Sequence, residues 1–83
     1  MDGGVYLYFG DSLLTKGSHD DLARLGIEPK EGLSLNFYDL DADENGNPNY
    51  LCAKGVLYKR SDGKWQADID QSSFHWIPRA DAE

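Results

Sequence analysis

From Asp39 to Asn49 the chain reads Asp-Leu-Asp-Ala-Asp-Glu-Asn-Gly-Asn-Pro-Asn, placing four carboxylates and three amides between two runs of alternating apolar residues. Oxygen at that density supports three kinds of chemistry: ending two strands, holding a hard cation, or offering negative charge to a basic surface. Tyr6, Tyr8 and Tyr38 fall on the strand phase opposite the inward-facing set. Tyrosines beside carboxylates make good contact surfaces, because the rings supply area at small entropic cost while the acids steer basic partners. Asp39, Asp41, Asp43 and Glu44 with Tyr6, Tyr8 and Tyr38 are therefore the candidate partner-binding residues. The competing reading is that the three tyrosines cover a second core face under a helix.

The cation reading can be tested on spacing. Counted from Asp41, the residues Asp41, Asp43, Asn45, Gly46, Asn47 and Asn49 stand at positions 1, 3, 5, 6, 7 and 9 of an EF-hand-like calcium loop. Position 12 is Cys52, so the bidentate carboxylate that completes calcium's coordination is missing, and no helices flank the loop. Asp41, Asp43, Asn45 and Asn47 remain as a weak calcium set, and no other cofactor is indicated. Asn-Gly among Asp and Asn is also the composition of an ordinary hairpin connection, since these residues accept left-handed backbone and form Asx turns.

Catalysis finds less support. Neither His19 nor His75 can be placed beside Cys52 or a serine from spacing alone, and a nucleophile needs an adjacent base. Cys52 reads as a buried small apolar residue. Asp68 and Asp70, two residues apart on one strand face, are spaced to share a proton, and with His75 they are the residues a small hydrolase would use. Gly3-Gly4 precedes a strand without the lysine and helix of a phosphate cradle. The chain reads as non-enzymatic.

Charge narrows the partner. The 83 residues carry a net charge of −7, and residues 1 to 48 hold ten acids against three bases while 49 to 83 hold five of each. Such a balance opposes direct binding to nucleic acid, which needs clustered Lys and Arg, and favours a protein with a basic surface. A hydrophobic content of 40% with 12% aromatic residues is globular, and the length suits one domain over residues 1–83. One cysteine excludes an internal disulfide, and no Cys/His set is spaced for zinc. No apolar run is long enough for a membrane span, and the acidic start, Met-Asp-Gly-Gly, is unlike a secretory signal; a cytoplasmic setting is expected.

The elements that must position these residues follow from a two-residue period. Val5, Leu7 and Phe9 form a first strand broken at Gly10-Asp11. Ser18 and Asp21 approximate a capping box before Leu22, Ala23 and Leu25, and Gly26 supplies the stop; one or two helical turns fit, with His19 facing solvent. Leu33, Leu35 and Phe37 then alternate with Ser34, Asn36 and Tyr38. Leu51 and Ala53 continue the inward set to Gly55, after which Val56 and Tyr58 carry it with shifted phase, as a bulge at Gly55 would produce. Asp62-Gly63 joins this run to Trp65, Ala67 and Ile69 as a hairpin. Phe74 and Trp76 form a last alternating pair ended by Pro78, and residues 79–83 fray.

Four or five short strands and one small helix bury both sheet faces by bending into a barrel or a strongly bent antiparallel sheet. Three patches resemble SH3 domains: Phe37-Tyr38-Asp39-Leu40 before an acidic loop, Trp65-Gln66-Ala67 after a hairpin, and Ile77-Pro78 near the end. That resemblance spans residues 33 to 79 and implies a mostly β fold, a small SH3-like barrel. It departs from the family in having one tryptophan where two commonly adjoin and no tyrosine after Pro78, so a proline-rich ligand does not follow. The function expected is a small acidic protein-interaction module docking on a basic partner. The alternatives are an inhibitor that occupies a nucleic-acid-binding protein with phosphate-mimicking carboxylates, and a weak calcium-binding domain using the 41–49 loop.

Overall fold

The computed structural model describes residues 4–42 and 44–78, and among these five strands and one α-helix make a mostly β fold. The elements are β1 (Val5–Tyr6), α1 (Lys16–Leu25), β2 (Ser34–Ala42), β3 (Pro48–Lys59), β4 (Trp65–Ile69) and β5 (His75–Pro78), with a 3-10 turn at Gln71–Ser73 before β5. Strand order is β1-β2-β3-β4, and β5 also pairs with β3. Because β2 already occupies one edge of β3 from Pro48 to Val56, β5 must follow β4 along the other edge. Asp43 and the tail 79–83, expected to fray, lie outside the described residues.

Hairpin register follows the alternation. Phe37 pairs with Ala53 and Leu57 with Ala67, which places Val5, Leu7, Phe37, Leu57 and Ala67 with Leu22 of the helix in one buried cluster. At the β3–β4 turn Arg60 N–H donates to the Lys64 carbonyl at 2.8 Å and Asp62 accepts the Lys64 N–H at 3.0 Å, as an Asp-Gly hairpin requires. The expected phase shift at Gly55 does not occur: Leu35 pairs with Gly55 in unbroken register, Leu57 is fully buried, and Val56 and Tyr58 face solvent. Gly55 has a packing role instead. A Cβ there would lie 2.7 Å from Ile69 Cδ1 and 3.0 Å from Phe37 Cε2, so the missing side chain is what lets those two meet across β3.

The sheet is neither closed nor wholly antiparallel, which corrects the barrel expectation. β1 pairs parallel to β2, Val5 with Phe37 and Tyr6 with Tyr38, because α1 crosses over between them. The helix then occupies the outer edge of β1. Ser18 Oγ donates to the Tyr6 carbonyl at 2.6 Å and Asp21 Oδ2 accepts the Tyr6 N–H at 2.9 Å, so two helix side chains satisfy the backbone groups that a further strand would have taken. The outer edge of β4 meets the β1–α1 connection at a single bridge, Leu13 with Gln66, flanked by Leu14 N–H to Trp65 O and Ala67 N–H to Ser12 O.

Helix limits also differ from expectation. α1 starts three residues earlier, with Thr15 at the N-cap, and Ser18 is a fully buried third residue whose Oγ accepts the Thr15 N–H at 3.0 Å. Gly26, at φ 71°, ends it in the left-handed conformation, with its N–H on the Ala23 carbonyl and Ile27 N–H on that of Leu22. His19 is exposed as anticipated. Among the described residues no helix is long and apolar enough to cross a membrane.

Candidate functional site

The molecule measures 41 × 24 × 19 Å, and its covering elements meet the sheet at β1 and at β4. Past them project the ends of β2 and β3 that carry the acidic connection, with β5 alongside. Trp76 shares a cross-strand row with Leu51 and Asp39, on the same sheet face as Phe37 and Ala53. Among the described residues no helix lies above the row, and Trp76 is 59% exposed although its phase is that of the core.

The indole is nevertheless fixed. Trp76 Nε1–H donates to Asp41 Oδ2 at 3.0 Å. Asp41 is on β2 and Trp76 on β5, with β3 between them, so the ring lies across the intervening strand. Together Asp41, Ala42, Glu44, Asn49 and Trp76 line an open cleft of about 340 Å³. The Trp76 N–H, with a lesser contribution from the Ala42 backbone N–H, holds the Asp41 carboxyl below its ordinary range, so its charge persists into mild acid.

β5 is brought to this place by the interruption between β4 and β5. Asp70 N–H continues the ladder to the Lys54 carbonyl at 2.9 Å, and Lys54 N–H then donates to Ser73 Oγ at 2.8 Å. Ser73 Oγ–H in turn donates to the Asp70 carbonyl at 2.6 Å. Here one hydroxyl stands where a strand carbonyl would be, and the ladder resumes at His75 opposite Cys52. Asp70 caps the 3-10 turn through Ser72 N–H and Oγ, which lower its pKa. His75 is exposed, its Nδ1 donating to the Ser73 carbonyl at 2.9 Å.

The residues singled out from sequence divide into three places. Asp41 and Glu44 line the Trp76 cleft. Asp39 is half-buried, its carboxylate accepting the Leu40 N–H at 2.8 Å at the open edge of β2. Tyr6 and Tyr38 lie on the opposite face, half-buried, with rings edge-on at 6.0 Å, and Tyr38 meets Tyr50 edge-on at 5.4 Å. Tyr38 O–H donates to Asp21 at 3.0 Å, and burial together with that carboxylate pushes its pKa up to about 12. Burial, and then the Asp39 carboxylate, raise the Tyr6 hydroxyl as well. Tyr6 and Tyr38 are thus half-buried and tied to the helix through Asp21. Tyr8 alone of the three is well exposed, in the turn after β1.

Of the calcium set, Asp43 lies outside the described residues, and among those residues no three His, Cys, Asp or Glu side chains converge. Cys52 is buried and its thiol pKa is raised by that burial.

Trp76 is the residue that sequence reasoning missed. Its alternation with Phe74 marks it as inward, and Phe74 does pack edge-on against Phe9 at 5.2 Å. The available signal was its distance along the chain from any element able to cover it. No family model, curated protein or solved structure matches this chain.

Proposed function

We propose that this protein is a non-enzymatic acidic interaction module that docks on the basic surface of a partner protein, with the cleft between Asp41, Glu44 and Trp76 at the centre of contact. The observation that carries this reading is the Asp41–Trp76 hydrogen bond, which holds a largely exposed indole rigid beside charged carboxylates. Interfaces are enriched in tryptophan because a large fixed ring loses little entropy on burial. The surplus of acids in the first 48 residues speeds encounter with a cationic surface and suppresses phosphate backbones.

The test is capture from native lysate with immobilised protein in low and high salt, comparing two triple variants of equal charge. One neutralises the site, Asp39→Asn, Asp41→Asn and Glu44→Gln; the other neutralises exposed acids elsewhere, Asp20→Asn, Glu28→Gln and Asp68→Asn. Basic proteins that are released by salt and lost only with the site variant support the reading. Equal loss with both variants would mean that net charge, not this cleft, does the binding.

A further inference from the structure

We infer that the cleft selects arginine over lysine, seating a partner's guanidinium flat on the Trp76 indole with the Asp41 and Glu44 carboxylates before it; this rests on the docking reading above. Three N–H donors of the acidic wall are committed inside the chain. Leu40 N–H goes to the Asp39 carboxylate, and both Trp76 Nε1–H and the Ala42 N–H go to Asp41. Asp41 and Glu44 bring two carboxylates to the cleft beside the exposed Trp76 ring. An extended peptide adding to the β2 edge brings acceptors and donors in equal number, so half of its groups would face oxygen. Arginine is donor-only, with five N–H groups in a planar fork. That plane also matches the exposed face of an indole which is itself held at a fixed angle, whereas an ammonium is a strongly hydrated point charge that gains less from a flat ring.

The experiment titrates the intact protein with hexa-arginine and with hexalysine at equal ionic strength, following the Trp76 indole N–H resonance and binding heat. The two peptides carry equal charge, so net-charge attraction alone expects equal affinity. Arginine preference of at least about threefold is expected from stacking on an exposed ring, centred on Trp76. In Trp76→Leu the arginine preference should fall, because the carboxylates remain and the ring does not. Equal affinity for the two peptides, or a preference undiminished in Trp76→Leu, overturns the arginine inference and leaves acidic docking standing. Failure of both peptides to bind removes the two together.

Discussion

Asp21 joins α1 to Tyr38: one carboxylate oxygen, Oδ2, accepts the Tyr38 phenol at 3.0 Å and the Tyr6 backbone N–H at 2.9 Å. The helix is thereby tied both to the edge strand and to its neighbour. Replacing Asp21 with Ala leaves two part-buried donors without a partner and should cost about 2 kcal/mol of stability, since each such loss is worth about 1–3 kcal/mol. Tyr38→Phe should cost less. A double-mutant cycle in urea that returned no coupling between the two would show that the contact carries no weight.

High pH should expose the same contact. The folded protein keeps the Tyr38 proton to about 12, whereas an unperturbed phenol loses it at 10.0. Below the unfolded value the contribution is complete; as pH climbs from there towards the folded value the unfolded chain releases the proton first, and stability falls. Denaturation midpoints should therefore drop over that alkaline window in wild type and drop less in Tyr38→Phe. Identical profiles for the two would contradict the assignment.

Gly55→Ala should destabilise by about 1–3 kcal/mol, as overpacking of a tight core does. The new Cβ would meet Ile69 Cδ1, Phe37 Cε2 and the Asp68 carbonyl, at 2.7, 3.0 and 3.2 Å. Only the first contact is the tip of a flexible side chain that a substitution can shorten. Adding Ile69→Val removes that atom and should recover part of the loss; thermal melts showing no recovery would place the strain on Phe37 and the backbone instead.

Ser73→Ala strips the hydroxyl that accepts the Lys54 N–H, in the gap between β4 and β5. Hydrogen exchange at the Lys54 amide should accelerate, and stability should fall by about 1 kcal/mol, the usual worth of one such bond. The consequence for function is indirect: β5 loses an anchor, so the Trp76 indole resonance should broaden. Unchanged Lys54 protection would mean that the ladder is bridged by other means.

Acid should report on the site itself. Asp41 is held below its usual range by the Trp76 N–H, so the indole resonance should titrate with a midpoint under 3.8, and Asp41→Asn should abolish that titration. A midpoint at or above the ordinary carboxylate value would contradict the hydrogen bond.

Much of this architecture was legible along the chain. The alternation of Leu33, Leu35 and Phe37, the Asp62-Gly63 turn and the Gly26 stop each follow from neighbours a few residues apart, and each stands in the structure. The shifted phase expected after Gly55 came from reading a strand glycine as a bulge, although Leu57 has core type and is buried. The space above Gly55 is taken by the side chains of Ile69 and Phe37, which the local alternation does not reveal.

By itself the sequence determined which residues share a strand face, where the charge lies and that Trp76 has core phase, since periodicity and composition are local properties of the chain. Tertiary structure alone decided what covers each face. The helix crosses over to the edge of β1, its Ser18 and Asp21 stand in for a missing strand, and the end of the sheet that it never reaches leaves Trp76 outside, held by Asp41. Burial belongs to the elements that happen to lie above a residue, and those come from distant parts of the chain.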